Sequence, residues 1–156
     1  EVSERFDHVA SIEMFEAVGE RFWPSFFSSV RSALADTGRA ALQVITIDDA
    51  RFEEYRAKPD FIQRYIFPGG MLPSPAVFER VAAAAGLAVE PPMFFGHDYA
   101  RTLHAWEERF SAAVARVRSM GFDERFERMW RFYLSYCQAG FTLGSIDVMQ
   151  VALTRR

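Results

Sequence analysis

Two short apolar segments end beside side chains able to hold a polar ligand. Phe6–Ile12 runs into Glu13 and Glu16, and Ala40–Ile47 carries Gln43 and Ile45 near its end. In an open α/β sheet ligands collect beyond the carboxyl ends of the strands. Side chains alternate along a strand, so Gln43 and Ile45 share a face. If the two segments are neighbouring strands, Glu16, Gln43 and Ile45 converge on one crevice. Spacing alone also suits a plainer reading, in which Glu13 and Glu16 solvate a helix start. Tyr133, set among Met129, Phe132, Cys137 and Phe141, carries a hydroxyl that needs a partner if buried.

Other chemistries have little support. His8, His97 and His104 are far apart, and no HExxH pair or Cys/His cluster occurs, so no metal site is expected. Gly-x-Ser-x-Gly, Gly-x-Gly-x-x-Gly and P-loop patterns are absent. Pro68-Gly69-Gly70 reads as a turn rather than a phosphate cradle.

The elements that must position these residues follow from periodicity. Phe6–Ile12 predicts a buried strand. Phe22, Phe26, Phe27, Val30 and Leu34 fall at helical spacing, with Asp36-Thr37-Gly38 as a stop, and Ala40–Ile47 predicts the next strand. Residues 48–75, punctuated by Pro59, Pro68, Pro73 and Pro75, read as a long excursion with one helical turn at Phe61–Tyr65, serving as an ordered lid or pocket wall. Ser74-Pro75 opens a helix that stops at Gly86, and Leu87–Phe94 is a weaker strand interrupted by Pro91-Pro92. Residues 98–141 read as two amphipathic helices broken near Gly121, and Ile146–Leu153 as a closing strand. The order β-α-β-α-β-α-α-β places the chain in the α/β class with a mostly parallel sheet.

Composition bounds the function. The 156 residues are 50% apolar and 25% charged, the balance of one ordinary globular domain able to bury a core without disulfide or metal. Eighteen Lys and Arg against 21 Asp and Glu give a net charge of −3, which argues against binding to nucleic acid. Lone Cys137 excludes an intrachain disulfide and favours a reducing, cytoplasmic setting. No apolar run approaches the roughly 20 residues of a membrane span, and Glu1–Arg5 is expected to carry no leader. Sixteen Phe fit either a dense aromatic core or an aromatic-lined cavity.

Four blocks carry a family resemblance: Ser11–Gly19 (SIEMFEAVG), Tyr65–Ser74 (YIFPGGMLPS), Asp98–Trp106 (DYARTLHAW) and Arg128–Phe141 (RMWRFYLSYCQAGF). In this order they resemble the cyclopropane-fatty-acyl-phospholipid synthase and mycolic acid methyltransferase family. The resemblance implies a Rossmann-like class I fold of the S-adenosylmethionine-dependent methyltransferases, with an antiparallel last strand. Residues 1–156 resemble the carboxyl part of such a catalytic domain. The family's Gly-rich cofactor turn and acidic ribose residue would lie upstream of Glu1, so this chain alone is expected to bind cofactor poorly.

The implied reaction moves a methyl group from S-adenosylmethionine to a cis double bond of an unsaturated phospholipid acyl chain, giving a cyclopropane. In the family picture a bound bicarbonate accepts a proton. The resemblance assigns bicarbonate to Glu16, Gln43, Ile45 and Tyr133, with Glu16 and Tyr133 catalytic. It gives Ser11, Ile12 and Ala17 to the cofactor, and Phe67, Met71, Leu72, Tyr99 and Phe141 to the acyl pocket. Gln43 stands where many relatives have His; its amide donates a hydrogen bond but does not titrate near neutrality. Ala17 also replaces a His, and both changes leave a methyl or methylene branch open as the product. The implied partner is a phospholipid at the membrane surface, met peripherally from the cytoplasm. Methylation of another hydrophobic substrate, and a non-catalytic binding or homodimerisation module, are the alternatives.

Overall fold

The computed structural model describes residues 4–156; residues 1–3, part of the start read as leader-free, lie outside the described residues. The strands are β1 (Phe6–Ile12), β2 (Leu34–Ile47), β3 (Leu87–Val89), β4 (Met93–Phe94) and β5 (Ile146–Arg155). The helices are α1 (Trp23–Ala33), α2 (Phe52–Ala57), α3 (Phe61–Tyr65), α4 (Pro75–Ala84), α5 (Gly96–Ser119) and α6 (Glu124–Thr142). Short 3-10 turns occupy Phe15–Ala17, Glu20–Phe22 and Asp49–Arg51.

The sheet order is β1-β2-β5-β3, with β4 also paired to β5. β1 and β2 pair parallel, while β5 runs antiparallel to β2, β3 and β4. β1 to β4 therefore share one direction, and the last strand is inserted against them. Alternation assigns the two faces. Ala40, Leu42 and Val44 of β2 and Met149, Val151 and Leu153 of β5 enter one core with α1 and α4. Ile45 and Val148 face a second core built on α5 and α6. Helices on both faces of the sheet complete a three-layer α/β arrangement.

Several expectations needed correction. β2 begins at Leu34, immediately after α1, because Asp36-Thr37-Gly38 is not a break between elements but an irregularity within the strand. The β1–β2 pairing jumps there from Phe6 opposite Leu34 to His8 opposite Arg39. A Cβ on Gly38 would come within 2.9 Å of the Phe6 carbonyl oxygen, so the close strand approach requires glycine. Among the described residues β1 pairs along one edge, with β2, and most of its side chains are exposed there. The excursion holds α2 and α3 as well as a 3-10 turn, where a single helical turn is expected from sequence. Asp60 and Gln63 form a reciprocal capping box that closes the start of α3. Pro91-Pro92 divides Leu87–Phe94 into β3 and β4, since proline cannot donate to a strand ladder.

Phe15 ties the site-bearing turn to the core. Its ring has no exposed surface. It stacks on Trp23 at 5.2 Å and meets Phe26 and Phe78 edge-on at 5.0 and 5.5 Å. Phe15→Ala is expected to lower the free energy of unfolding by about 3–5 kcal/mol, the usual cost of emptying a buried aromatic site. Denaturant titration checks this, and a loss below about 1 kcal/mol, within the range of surface substitutions and small adjustments, would refute the anchoring role.

Candidate active site

The turn after β1 carries two acids. Glu13 adopts φ 51°, unusual for a non-glycine residue, and its N–H donates to the Gln43 carbonyl at 2.9 Å. Its carboxylate then accepts from Gln43 Nε2 at 2.7 Å and from the Tyr99 hydroxyl at 2.8 and 3.0 Å. Glu16 Oε1 accepts from the Ile45 N–H at 2.5 Å, whereas Glu16 Oε2 is buried with no partner among the described residues. Burial pushes the Glu16 carboxyl above its ordinary value of 4.5; the Ile45 N–H opposes that rise, and the nearby Glu13 adds to it.

A second turn closes against the first. Pro68 and Gly69 occupy its corner, with Gly69 at φ 83° and the Gly70 N–H donating to the Phe67 carbonyl at 3.0 Å. The Met71 N–H then donates to the Glu16 carbonyl at 2.8 Å, which seats the excursion beside the acids. Gln63 braces the same loop through the Gly70 carbonyl, and the Tyr55 hydroxyl accepts from the Leu72 N–H at 3.3 Å.

Between this excursion, the sheet end and α5–α6 lies a cavity of about 800 Å³. Glu16, Ala17, Ile45, Phe67, Met71, Leu72, Tyr99, Tyr133 and Phe141 all line it. Its walls are mainly apolar and aromatic: Phe67 meets Tyr133 at 6.2 Å, and Tyr99 meets Phe141 at 5.1 Å. The Tyr133 hydroxyl has no hydrogen-bond partner among the described residues, and burial, with smaller contributions from Cys137 and Glu13, pushes its pKa up to about 12. Both phenols thus stay protonated near neutrality; burial and then the bond to Glu13 hold Tyr99 well above its ordinary range.

Three residues assigned from sequence lie elsewhere. Gln43 lines a shallow groove of about 370 Å³ together with Ile12. Its amide is committed on both sides, donating to Glu13 and accepting from Gln150 Nε2 at 2.8 Å. Ile12 is 69% exposed, and Ser11 sits in the ladder opposite Leu42. Tyr99, grouped from sequence with the acyl pocket, belongs equally to the acid cluster. Glu13 is a polar site residue missed in assigning roles. The Glu13-x-x-Glu16 spacing was visible, but its backbone conformation and its bond to a residue 86 positions away were not.

The strand order, the inserted antiparallel strand and the cavity beyond the strand ends define a class I S-adenosylmethionine-dependent methyltransferase fold. Two solved structures share it. The cyclopropane synthase MmaA2 from Mycobacterium tuberculosis is 27% identical with a TM-score of 0.88. Mycolic acid cyclopropane synthase CmaA1, complexed with SAH and CTAB, is 28% identical with the same TM-score. Each comparison covers 99% of this chain and 57% of the other. The profile of the mycolic acid cyclopropane synthetase family matches residues 1–151, and the chain belongs to that family. Tuberculostearic acid methyltransferase UfaA1 of Mycobacterium tuberculosis is 40% identical over 156 residues, and cyclopropane-fatty-acyl-phospholipid synthase of Escherichia coli K12 is 33% identical over 155. The chain spans 36% and 39% of those two proteins.

Glu16→Gln retains an acceptor for the Ile45 N–H and removes the ionisable group. The folded carboxyl has a raised pKa, so its stabilising contribution is full below the unfolded value and fades as pH rises through the folded one. The variant's thermal midpoint is expected to match wild type below pH 4.5 and to exceed it increasingly toward neutrality. A variant less stable than wild type at neutral pH would contradict this assignment of the burial cost.

Proposed function

We propose that the protein containing this chain transfers a methyl-derived carbon from S-adenosylmethionine to the cis double bond of an unsaturated phospholipid acyl chain at a membrane surface. The observation carrying this reading is the apolar, aromatic-walled cavity holding a buried carboxyl with one unpartnered oxygen. An alkene is a weak nucleophile, so the walls must align it and exclude water that would trap a carbocation. The faces of Tyr133, Phe141 and Tyr99 supply electron density toward such a charge. S-adenosylmethionine, when bound, supplies an electrophilic methyl group. Ala17 on the cavity wall, with Ser11 and Ile12 at the carboxyl end of β1, suits the methyl-donor end of that cofactor.

Bicarbonate also fits the available groups. When bound, it supplies a proton acceptor. Glu16 Oε2 and the Tyr133 hydroxyl, neither with a hydrogen-bond partner among the described residues, are the groups to hold it, with Ile45 orienting Glu16 through its backbone. The committed Gln43 amide would act through Glu13 rather than directly. Among the described residues no helix is long and apolar enough to cross a membrane. Access to lipid is proposed through the exposed Phe67 and Tyr65 of the excursion.

A second reading, a branched rather than a cyclised product, is favoured by the 40% identity to a tuberculostearic acid methyltransferase. Lipid extracts from cells carrying or lacking the full gene separate the outcomes by proton NMR. Upfield ring protons mark a cyclopropane, and new olefinic or methyl signals mark a branch. Absence of any alkylated acyl chain refutes both.

In the full-length protein, Glu16→Gln and Tyr133→Phe are expected to reduce methyl transfer by about 100-fold or more, the range for losing a proton-handling or charge-stabilising group. Circular dichroism should remain that of wild type. Near-native turnover in both folded variants would remove their proposed roles.

A further inference from the structure

We infer that Glu13 is a positioning residue that commits the Tyr99 hydroxyl proton to its own carboxylate, so that the phenol presents its oxygen to the cavity as an acceptor. This rests on the reaction proposed above and adds a residue to it. A phenol has a single proton to donate. Tyr99 commits that proton to Glu13, at 2.8 and 3.0 Å from the two carboxylate oxygens. Glu13 and Tyr99 both line the cavity, and with that proton committed to the carboxylate the phenol offers a ligand there lone-pair density.

The arrangement is fixed from behind. Gln150 Nε2 donates to Gln43 Oε1, which turns the Gln43 amino group toward Glu13 Oε1. The Glu13 backbone is held at φ 51° by its N–H bond to the Gln43 carbonyl. Such conformations persist where surrounding contacts over-determine them, and they concentrate at functional sites. The Tyr99 ring is itself packed between Trp106 at 6.1 Å and Phe141 at 5.1 Å.

Orientation matters because a hydroxyl is a dipole. With its proton facing inward, Tyr99 would direct positive charge at a developing carbocation. With its proton on Glu13 it directs negative charge there, in a site already preorganised before the reaction. The charged and titratable groups facing Tyr99 are Glu13, Glu16 and Tyr133. Of these, Glu13 alone accepts the Tyr99 proton among the described residues.

The test uses full-length protein and vesicles containing monounsaturated phospholipid. Glu13→Ala, which removes both acceptor oxygens, is expected to lower kcat about tenfold while KM for lipid stays within about twofold, the signature of an interaction made in the transition state. The double variant Glu13→Ala/Tyr99→Phe should fall within about twofold of Tyr99→Phe alone, because Glu13 acts through Tyr99. Wild-type kcat in Glu13→Ala, or losses that multiply in the double variant, would overturn the inference. Glu13→Gly removes the same carboxylate without the strain of a positive φ, so it carries the test should Glu13→Ala fold poorly. It should show the same fall in kcat, and wild-type turnover in it also overturns the assignment. Carbon-13 NMR of protein labelled at tyrosine Cζ supplies a readout independent of turnover. The Tyr99 resonance, identified by its loss in Tyr99→Phe, should move in Glu13→Ala; an unmoved resonance overturns the proposed orientation. If wild type transfers no methyl group to these vesicles, the reaction reading fails and the resonance alone decides whether Glu13 orients Tyr99.

Discussion

Phe15 is the fixed point on which the acid-bearing turn depends. Its ring is enclosed by Trp23, Phe26, Phe27 and Phe78, and full burial of such a side chain is worth about 2–3 kcal/mol before ring-packing effects are added. The neighbouring Glu16 carries an opposing cost, because a buried polar atom without a partner destabilises by about 1–3 kcal/mol. The aromatic anchor offsets that cost. It allows a carboxyl to remain poorly solvated at the edge of a cavity without unseating the turn that carries it.

From that anchor the polar and apolar parts of the site separate. The acids are reached by short-range, directional bonds from strand β2: the Ile45 N–H to Glu16 and the Gln43 amide to Glu13. The apolar walls come from α5, α6 and the excursion, whose inner loop is sewn to the turn by the Met71 N–H. Directional bonds fix where charge and protons sit, while non-directional packing shapes the space for hydrocarbon. Two unlike materials thereby meet in one cavity. The proposed chemistry needs both, since a long acyl chain has few polar groups by which to be oriented and its alkylation develops positive charge.

Much of this was legible in the chain. The alternation within Ala40–Ile47 predicted the two faces of β2, and the stripe through Tyr99, Leu103 and Phe110 predicted the inward face of α5, because local sterics set these periods; Trp106, in the same stripe, is 41% exposed. The Pro68-Gly69 corner followed from the φ each residue favours. Asp36-Thr37-Gly38 has the residues of a stop yet interrupts a strand, because an irregular strand and a loop use the same turn-forming residues. Only the pairing with Phe6 distinguishes them.

The sequence by itself determined the class of fold, the family and the pool of chemical groups near the strand ends, since each is encoded by local spacing or by extended blocks of residue identity. Tertiary structure decided how those groups divide their hydrogen bonds. It turned Gln43 away from the cavity, left one Glu16 oxygen unpartnered and joined Tyr99 to Glu13. The physical reason is range: a hydrogen bond is decided over about 3 Å, and the side chains that compete for each donor come from segments whose separation along the chain says nothing about their distance in space.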